Sequence, residues 1–465
     1  MRPAMRERIA LSWRPLGRLD PVDLFRRAAA GRMGFFLDSS SREPGLTRNS
    51  FVGWDPIGWF RSRAGRSAYA CPWGEAILRG DPLDALAAFL GLLPFGRVGR
   101  PPVPFAAGLV GTFSYDLGRW IERIPDEKAA DLQIPDIHLG LYSRIVHIDH
   151  AWGEAYEIGP RIPLSYEPPP IPDDLRVPQE PAAIPPLDRE AFVRSIATAK
   201  EAIADGEIFQ ANLSHRLGLP LEGTPAEAYE RLRTRTPAAF AAYLDAGDHR
   251  ILSASPERFL QVRGREVETR PVKGTRPRGR TAAEDRALAR ELLDSEKDAA
   301  ENVMIVDLER NDLGKVCTFG SVRVPSLLSL RSLPTVHHLE SVVRGTLRED
   351  VGVPELLRAT FPGGSITGAP KPRAMEIIER LEPHRRGVYT GAIGYISLDG
   401  SLDLNLAIRT ATVLGRTAYF AVGGGIVADS DPEAEYQETL DKLRGHAEAL
   451  TRGRTEVAEH GIRLA

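Results

Sequence analysis

Residues 387–427 read GVYTGAIGYISLDGSLDLNLAIRTATVLGRTAYFAVGGGIV and contain three strand-like runs in close succession. A Leu-Asp-Gly turn at residues 398–400 separates the first run from the second. Further strand-like runs lie at residues 208–219, 249–262 and 265–275, and we expect the last two to pair. Because strands arrive in adjacent groups rather than in alternation with helices, the sequence predicts an α+β fold with large antiparallel sheets flanked by helices.

Helices are predicted from apolar spacing and from capping residues. Residues 188–206 have an apolar face with helical spacing and begin with Asp188, which can serve as an N-cap. Thr281 and Glu284 form a capping-box signature that opens a helix toward Leu293. Further helices are predicted at residues 225–235 and 295–312, and Asp431-Pro432 opens the last one.

Composition limits the class of protein. The chain has 465 residues, a formal net charge of −3 and 42% hydrophobic residues, a normal balance for a globular protein of two or three units. The chain has no basic run of the kind that indicates nucleic-acid binding. It also has no apolar stretch that reaches the roughly 20 residues needed to span a bilayer. Cys71 and Cys317 lack the spacing of a disulfide framework or a zinc site. Because the first residues also lack the apolar segment of a signal peptide, we expect a cytoplasmic protein without a nucleic-acid or membrane partner.

A proline-rich segment divides the chain. It contains ten prolines between Pro160 and Pro186, and little in it could sustain a helix or a central strand. We therefore predict an N-terminal region over residues 1–160, an extended linker over residues 161–186 and a larger C-terminal region over residues 187–465.

A single lysine among arginines is the first candidate for chemistry. Residues 270–278 read RPVKGTRPR, and Lys273 is one of only seven lysines among 60 basic residues. Neighbouring positive charge lowers the pKa of a lysine, so a partly buried Lys273 could act as a nucleophile. The alternative is a solvated basic turn or an anion-binding loop.

A glycine-rich loop precedes a predicted helix. Residues 361–371 read FPGGSITGAPK, and main-chain amides at such a helix start bind carboxylate or phosphate. Lys371 does not follow Gly368 directly, so the loop is not a nucleotide P-loop, and a small anionic ligand suits it better than ATP or NAD. A plain structural turn is the alternative.

Three glutamates on predicted helices indicate a hard metal ion. Glu301 lies at the edge of an apolar helix face, where a carboxylate must be paired or bind a cation. Glu435 and Glu438 are three residues apart and share a face of the last helix. Three carboxylates without a cysteine cluster suit Mg2+, whereas a solvated helix face is the ordinary interpretation of Glu435 and Glu438 alone.

Other polar residues give weaker signals. One of His337 and His338 could contact a substrate, although a hydrogen-bonded core histidine is the simpler interpretation. Glu257 ends a strand-like run beside Arg258, and an ion pair between them is the alternative to a catalytic role. Arg409 points away from the apolar side chains of its strand and could bind a carboxylate or be a surface charge.

Together these segments resemble the family of chorismate-utilising enzymes, whose branches include anthranilate synthase component I, aminodeoxychorismate synthase component I, isochorismate synthase and salicylate synthase. The matching blocks follow one another in family order through residues 190–450: SASPERF, RPVKGTRPRG, ENVMIVDLERNDLGKVC, HHLESVVRG, FPGGSITGAPKPRAMEII, YTGAIGY, LAIRTA and GGGIVADSDPEAEYQET. The N-terminal region matches more loosely, through FFLDSSS and VGWDPI. The resemblance implies two large, roughly orthogonal antiparallel sheets with helices outside and with the N- and C-terminal regions interleaved.

Lys273 indicates the branch that the chain resembles. Anthranilate synthases read PIAGT and aminodeoxychorismate synthases read PIKGT where this chain reads PVKGT. Resemblance to the latter implies that Lys273 attacks C2 of chorismate, with Glu257 as acid and base at C4. Ammonia would then add at C4 to give 4-amino-4-deoxychorismate for 4-aminobenzoate and folate synthesis. Gln210 stands where the water-using members carry a lysine base, which favours ammonia.

The resemblance also implies the remaining roles in the site. His338 matches the active-site histidine of the family, and Glu301 and Glu438 match ligands of Mg2+, with Glu435 close by. The implied substrate contacts are Gln210, Thr275, Ser365, Lys371, Tyr389, Arg409 and the main chain of Gly423, Gly424 and Gly425.

A second site is implied near the start of the chain. Leu37, Asp38 and Ser39 occupy the position of a tryptophan site in several family members. Residues 239–241 read AFA, where feedback-inhibited anthranilate synthases have Pro-Tyr-Met. We therefore do not expect feedback inhibition by tryptophan, and a bound tryptophan that only stabilises the fold is the alternative.

The resemblance also implies partners. Neither cysteine lies in a Gly-x-Cys-x-Gly setting, so we expect ammonia from a separate glutamine amidotransferase subunit, component II, and an aminodeoxychorismate lyase that receives the product. Two alternatives stay open: anthranilate synthase component I and a non-catalytic chorismate-binding protein.

Overall fold

The computed structural model describes residues 10–464 except residues 42, 44–45, 95–102, 162–163, 180–187, 334–335, 454 and 459–460. Two large antiparallel sheets flanked by helices form its body, as the sequence predicts. The helices of the described part are α1 (Pro21–Ala30), α2 (Pro82–Leu92), α3 (Arg189–Ala204), α4 (Pro225–Arg235), α5 (Ala282–Leu293), α6 (Glu296–Gly314), α7 (Val353–Thr360), α8 (Lys371–Leu381) and α9 (Pro432–Thr451).

The strands fall into an N-terminal and a C-terminal group. Before the proline-rich segment lie β1 (Leu11–Gly17), β2 (Phe35–Asp38), β3 (Asn49–Gly53), β4 (Gly58–Arg63), β5 (Arg66–Cys71), β6 (Gly74–Arg79), β7 (Gly108–Phe113), β8 (Ile137–Tyr142), β9 (Ile145–Asp149) and β10 (Glu154–Pro160). After it come β11 (Gln210–Pro220), β12 (Phe240–Asp245), β13 (Arg250–Ser255), β14 (Arg258–Arg263), β15 (Glu266–Thr269), β16 (Val272–Pro277), β17 (Arg323–Ser332), β18 (Val336–Thr346), β19 (Gly368–Ala369), β20 (Ala392–Ser397), β21 (Leu402–Leu406), β22 (Thr410–Leu414), β23 (Thr417–Ile426), β24 (Thr455–Ala458) and β25 (Gly461–Leu464).

Each large sheet combines strands of both groups. The first sheet has the order β1-β10-β9-β3-β2-β12-β13-β22-β23-β11-β19. The second has the order β16-β18-β15-β14-β21-β20-β7-β8-β4-β5-β6, and β17 also pairs with β18. N-terminal β2 thus lies beside C-terminal β12, and N-terminal β7 lies beside C-terminal β20. This arrangement confirms the interleaving that the family resemblance implies.

The helix starts follow the predicted capping residues. The Asp188 carboxylate accepts a 2.9 Å hydrogen bond from the Ala191 amide at the start of α3. The Thr281 hydroxyl accepts one of 3.2 Å from the Glu284 amide at the start of α5. Asp431 caps α9 in the same way, which confirms the three predicted helix starts. The Glu284 carboxylate accepts from the Arg280 amide at 2.7 Å rather than from the Thr281 amide, so the predicted capping box forms only in part.

Aromatic side chains fill the space between the two sheets. Tyr395 on β20 of the second sheet stacks on Phe105 at a ring-centre distance of 4.5 Å and lies 5.6 Å from Phe51 on β3 of the first sheet. Phe35 on β2 is fully buried in the same cluster. Burial of large aromatic rings is a strong source of hydrophobic stabilisation, so this layer holds the sheets face to face.

Two of the predicted strands are in fact pairs of strands that belong to different sheets. The run at residues 249–262 breaks at Pro256-Glu257, where the chain leaves β13 of the first sheet and enters β14 of the second. The second of the three runs in residues 387–427, at residues 401–413, breaks at residues 407–409. There the chain leaves β21 of the second sheet and enters β22 of the first. Alternation of apolar and polar residues is the same on both sides of each crossover, so it could not reveal the change of sheet.

The predicted pairing of residues 249–262 with 265–275 is correct only in part. Strand β14 pairs with β15 as expected, through Gln261 and Glu268. The remainder of the second run forms β16, which pairs with β18 instead. Pro271 separates β15 from β16 and interrupts the run.

The described part of the proline-rich segment, residues 164–179, is extended except for a short 3-10 turn at Asp173–Leu175, and it packs on both sheets. The Trp59 indole on β4 donates a 2.8 Å hydrogen bond to the carbonyl of Pro169, and Arg61 donates one to the carbonyl of Leu175. The amide of Val177 donates to Asp248 in the turn between β12 and β13. The predicted boundaries at residues 160 and 187 stay a prediction, and residues 180–186 of the predicted linker lie outside the described residues.

None of the helices in the described ranges is long and apolar enough to cross a membrane.

Candidate active site

The two crossovers between the sheets lie side by side. The amide of Leu406 donates to the carbonyl of Glu257 at 3.1 Å, and the amide of Ala254 donates to the carbonyl of Arg409 at 3.0 Å. The Ser255 hydroxyl donates to the carbonyl of Leu406 at 2.6 Å. Each crossover thus stabilises the other, and Glu257 and Arg409 are brought to the junction of the two sheets.

Glu257 is buried at this junction, with 5% of its surface exposed. Burial raises the pKa of its carboxyl group to about 7, and the opposing influences come from Lys273, the Ser365 hydroxyl and the Val272 amide. The Val272 amide lies 3.4 Å from Oε1. A carboxyl group with a pKa near 7 can both give and take a proton at neutral pH.

Lys273 lies on β16 and faces the same junction. Its Nζ donates a 3.1 Å hydrogen bond to the main-chain carbonyl of Ser365. Gly274 has a φ of 77°, and a Cβ there would lie 2.8 Å from Leu292 Cδ1 and 3.0 Å from Asp298, so glycine is required beside the lysine.

The pKa of Lys273 is lowered, but the physical cause differs from the one that the sequence suggests. Burial of the ammonium group is the main cause. The neighbouring arginines are neutralised by carboxylates: Arg270 pairs with Glu268 and Glu340, Arg276 with Glu291 and Asp298, and Arg278 with Asp285. The attribution of the shift to arginine crowding is therefore wrong, while the expected direction is right.

His338 on β18 pairs with Thr275 on β16, two residues after this lysine. Its Nδ1 is 2.9 Å from the Thr275 hydroxyl and 3.3 Å from the carbonyl of Gly274. Burial, followed by the charge of Arg409, lowers the pKa of the imidazole to about 4, so the ring is neutral at pH 7. With the proton on Nδ1 toward the carbonyl, the buried Nε2 is a free acceptor among the described residues.

Arg409 is a candidate anion-binding residue. Its backbone has a φ of 51°, which is uncommon for a residue other than glycine. Its guanidinium group makes no hydrogen bond or ion pair with the part of the chain that the structure describes, although burial and the Glu257 charge act on it. A buried guanidinium group without a carboxylate partner is suited to a carboxylate of a ligand.

Strands β11 and β23 form another wall. Gln210 is 1% exposed, and its Oε1 has no hydrogen-bond partner among the described residues. A Cβ at Gly425 would lie 2.1 Å from Gln210 Nε2, so the side chain needs a glycine on the neighbouring strand. Gly423 pairs with Ser214, and Gly425 pairs with Asn212. Strand β23 therefore offers main-chain groups where side chains would block the approach.

The glycine-rich loop supplies Ser365 but not a free lysine. Ser365 is buried in a short turn at Gly364–Ile366, where its carbonyl accepts from Lys273. The Lys371 Nζ instead donates to Asp312 Oδ2 at 2.6 Å and to the carbonyl of Thr360 at 2.9 Å. These contacts occupy the ammonium group in a buried ion pair and give no support to its predicted contact with a substrate.

The three glutamates lie at one end of the site. Burial raises the pKa of Glu301 and of Glu435, and the charge of Glu435 adds to the shift of Glu301 as the charge of Glu438 adds to that of Glu435. Ser430 donates a 2.6 Å hydrogen bond to Glu435, and the Lys442 Nζ lies 2.7 Å from Glu438 Oε1. Within the described ranges no three His, Cys, Asp or Glu side chains lie close enough to hold a metal ion.

The donor chemistry at this end nevertheless suits a hard cation. All three side chains offer carboxylate oxygens. A Cβ at Gly424 would lie 3.0 Å from Glu435 Oε2 and 4.0 Å from the Lys442 Nζ, so the glycine leaves space beside the carboxylate. The Lys442 ammonium already places a positive charge there and also donates to the carbonyl of Gly423 at 2.9 Å.

Leu37, Asp38 and Ser39 lie elsewhere, at a cavity of about 1540 Å³ that residues 239–241 also line. Asp38 accepts hydrogen bonds from Arg233 at 2.8 Å and from the Tyr229 hydroxyl at 3.3 Å. Tryptophan binding at this cavity stays a prediction.

Arg258 also lines this cavity. Its guanidinium group binds Asp403 rather than the neighbouring Glu257, so the ion-pair alternative for Glu257 is wrong.

Two buried residues near the site escaped the sequence analysis. Glu309 on α6 accepts a 3.0 Å hydrogen bond from the Thr269 hydroxyl, and Arg386 lies behind Tyr389, with its guanidinium group 6.0 Å from the tyrosine ring. Glu309 follows Asn302 by seven residues, so helical spacing places both on one face of α6 and could have indicated it. Glu382 and Thr390, each four residues from Arg386, do not by themselves indicate its place near the site, because its contacts with Asn212 and Ile366 are 174 and 20 residues away in sequence.

Known proteins are similar to this chain over most of its length. The sequence profile of the family described as chorismate binding enzyme matches residues 36–448. Aminodeoxychorismate synthase component 1 of Salmonella typhimurium is 41% identical over 395 residues, which are 84% of this chain and 87% of the relative. Anthranilate synthase component 1 of Haloarcula marismortui is 42% identical over 402 residues, 80% of this chain and 81% of the relative.

A solved structure agrees with the fold. Anthranilate synthase component I from Streptococcus pneumoniae TIGR4 has a TM-score of 0.73 and 32% identity, and the match covers 87% of this chain and 93% of that one. The names of the relatives divide between two activities, so the residues of the site must distinguish them.

Proposed function

Because this chain belongs to the family of chorismate binding enzymes, and is therefore a chorismate-utilising enzyme, we propose that it acts as aminodeoxychorismate synthase component I. The reaction would convert chorismate and ammonia to 4-amino-4-deoxychorismate and water. The product would serve 4-aminobenzoate and folate synthesis, as the resemblance implies.

One observation carries the choice of activity: a lysine with a lowered pKa faces the same junction as a carboxyl group with a raised pKa. The Lys273 Nζ is held by the Ser365 carbonyl, and Glu257 and Lys273 are each a leading influence on the pKa of the other. In the family, the anthranilate branch that this chain also resembles has alanine in place of this lysine. A nucleophilic lysine has a task in the aminodeoxychorismate reaction and none in that of the other branch.

The first chemical step would use both residues. The Lys273 nitrogen forms a bond to C2 of chorismate, the two conjugated ring double bonds shift to C1=C6 and C4=C5, and the C4–oxygen bond breaks. Glu257 gives its proton to the departing hydroxyl, which leaves as water, and the proton lost by the lysine nitrogen restores the acid. Burial favours both the neutral amine and the neutral acid, which are the forms that this step needs.

The second step would reverse these roles. Ammonia forms a bond to C4, both double bonds shift back, and the bond between C2 and the Lys273 nitrogen breaks. Glu257, restored as an acid in the first step, gives its proton to the departing lysine nitrogen, and the resulting carboxylate takes a proton from the new ammonium group. Gln210 stands where the water-using members of the family carry a lysine base and cannot itself activate water, which supports ammonia as the nucleophile.

The remaining residues would bind and orient the substrate. Arg409 is suited to a carboxylate of chorismate, and the Nε2 of neutral His338 can accept a hydrogen bond from the hydroxyl group of chorismate. Glu301, Glu435 and Glu438 would hold Mg2+. When bound, the ion would neutralise a substrate carboxylate and polarise the ring.

The name component 1 of the relatives supports a second subunit. We propose that a glutamine amidotransferase, component II, supplies ammonia and that an aminodeoxychorismate lyase receives the product. If the purified chain used glutamine as efficiently as ammonium, this part of the proposal would be wrong.

The proposal is tested by trapping the lysine adduct. The purified chain is incubated with chorismate and Mg2+ without ammonia, and its intact mass is measured. We expect a gain equal to chorismate less one water, located at Lys273 by peptide mapping and absent in Lys273→Ala. Tight chorismate binding with no adduct and no turnover would instead favour the non-catalytic binding protein.

A further inference from the structure

Arg386 is enclosed behind the candidate active site and has no described role in it. Its side chain is 2% exposed, and its guanidinium group makes hydrogen bonds with four separate segments of the chain. It donates to the carbonyl of Ile366 at 3.0 Å, to the Thr390 hydroxyl at 3.2 Å, to the carbonyl of Asn212 and to Glu382.

Three of these contacts adjoin residues assigned to the site. Ile366 follows Ser365, whose carbonyl holds the Lys273 Nζ. Thr390 follows Tyr389, and its hydroxyl also donates to the Tyr389 carbonyl at 2.6 Å. Asn212 lies two residues after Gln210 on β11, so its side chain is on the same face of the strand.

The charge of Arg386 is not available to a substrate. The Glu382 carboxylate accepts hydrogen bonds from Arg386 Nε at 2.9 Å and Arg386 Nη2 at 2.6 Å. Its Oε1 also accepts from the amide and the hydroxyl of Ser214 at 2.7 and 2.8 Å. The guanidinium group is thus neutralised and fixed to β11 from a second side. A buried, fully paired arginine cannot bind a ligand carboxylate without giving up these bonds.

The N-terminal half of the chain completes the enclosure. The Tyr115 ring lies 4.5 Å from the guanidinium carbon, and the Tyr115 amide donates to the carbonyl of Gly387 at 2.8 Å. Asp116 accepts from the amide of Gly387 at 2.9 Å. The position of Arg386 is therefore set from four directions before any ligand is present.

We infer that Arg386 is a positioning residue, which fixes the Ser365–Ile366 loop, the Tyr389–Thr390 turn and the start of β11 in the relative arrangement that the lysine chemistry requires. The inference deepens the proposed function and rests on it. Arg386 has five N–H donors in a rigid planar fork, so one side chain can hold several acceptors at fixed angles. Lysine at this position would keep the charge and the pairing with Glu382 but could not reach all three acceptors.

The test compares Arg386→Lys with a matched control. Arg61 is another fully buried arginine, bound to Asp248 and to the carbonyls of Leu175 and Ala246, and it lies at the proline-rich segment rather than in the site. Arg61→Lys therefore reproduces the cost of weakening a buried arginine cluster without disturbing the site. Both variants are measured for thermal unfolding and for the rate of Lys273 adduct formation in a single turnover without ammonia.

We expect Arg386→Lys to lower the adduct rate by about 10- to 100-fold, since a misplacement of about 1 Å near the reacting atoms has such an effect. Arg61→Lys should lose comparable thermal stability and retain the rate within about twofold. The pH at which the adduct rate rises to half of its maximum, as Lys273 loses its proton, should also be lower in Arg386→Lys. The reason is that a displaced Ser365 carbonyl stabilises the Lys273 ammonium group less. Equal rate losses in both variants, or a wild-type rate in Arg386→Lys, would overturn the inference.

Thr390→Val provides a second variant in case Arg386→Lys does not fold. It removes one acceptor of Arg386 and should lower the adduct rate in the same direction but by less, whereas an unchanged rate would count against the inference. Failure of the proposed function is recognised separately, because the wild-type chain would then form no adduct. In that case chorismate affinity replaces the rate, and equal affinities of wild type and Arg386→Lys would overturn the inference.

Discussion

The amide of Leu406 donates a 3.1 Å hydrogen bond to the carbonyl of Glu257, and this bond joins the two points where the chain passes between the sheets. Glu257 lies on one crossover and Arg409 on the other. The proposed acid Glu257 and the candidate anion-binding residue Arg409 thus have their relative position set by the sheet topology rather than by a flexible loop. A site held on the frame of the fold is suited to chemistry that needs two groups at fixed positions.

Removal of the Glu257 carboxyl group should abolish the first step of the proposed reaction. Glu257→Gln should lower the rate of Lys273 adduct formation by about 10²–10⁴-fold, the usual contribution of a general acid. The wild-type rate should fall above about pH 7, because burial raises the pKa of Glu257 to about 7 and the acid must carry its proton. Single-turnover rates from pH 5 to 9, measured without ammonia, give this profile. A decline above pH 7 that persists in Glu257→Gln would assign it to another group.

Lys371 should matter for stability rather than for substrate binding. Its ammonium group binds Asp312 Oδ2 in a buried pair, so Lys371→Met should cost about 3–5 kcal/mol of unfolding free energy and leave KM for chorismate nearly unchanged. Lys315 binds the other oxygen of the same carboxylate but is 53% exposed, so Lys315→Met is a matched control that should cost about 0–1 kcal/mol. A large rise in KM for Lys371→Met with little loss of stability would restore its predicted contact with the substrate.

Glu309 should destabilise the folded state as the pH rises. Burial, followed by the Glu257 charge, raises the pKa of Glu309 to about 8, whereas an unfolded glutamate titrates near 4.3. Folding therefore takes up a proton between about pH 4 and 8, and the associated cost grows with pH across this window. Glu309→Gln should unfold at a higher temperature than wild type at pH 8 and at the same temperature near pH 4.

The control for Glu309 is the exposed Glu349, which is 88% exposed. Glu349→Gln should show the same difference in unfolding temperature between pH 4 and pH 8 as wild type. If Glu309→Gln were less stable than wild type at pH 8, the carboxylate would be a stabilising ion in the folded state, contrary to this account.

Mg2+ binding should depend on the glutamates of α6 and α9. Glu301→Gln and Glu435→Gln should each weaken Mg2+ binding at least about tenfold, because each removes a charged oxygen donor. Titration calorimetry in the absence of chorismate measures this binding independently of turnover. Glu433 lies on the same helix in a surface pair with Arg189, and Glu433→Gln should bind Mg2+ like wild type. If all three variants bound Mg2+ as tightly as wild type, the ion would bind at another place.

The sequence predicts the helices and the two-sheet fold because capping residues, apolar spacing and strand grouping are local signals. The sequence also predicts Lys273, Glu257 and His338 as site residues, each from a distinctive motif, and their roles stay predictions. It fails where long-range packing decides. The crossovers at Glu257 and Arg409 resemble the interiors of strands, because alternation does not report which sheet a strand joins.

The partners of buried charges are the other information that the sequence lacks. Lys371 and Lys273 both lie beside proline or glycine in the sequence, yet in the part of the chain that the structure describes one forms an ion pair with Asp312 and the other donates to a carbonyl. Arg386 has acceptors on β11 and in the Ser365 loop, which are 174 and 20 residues away in sequence. These distances in the chain are spanned only once the sheets have formed.

The product formed from chorismate tests the central claim most directly. The purified chain is incubated with chorismate, Mg2+ and excess ammonium, and both the mass of the product and the release of pyruvate are followed. This account predicts 4-amino-4-deoxychorismate without pyruvate, and loss of that product in Lys273→Ala. Anthranilate accompanied by one equivalent of pyruvate would contradict it and would assign the chain to the other branch.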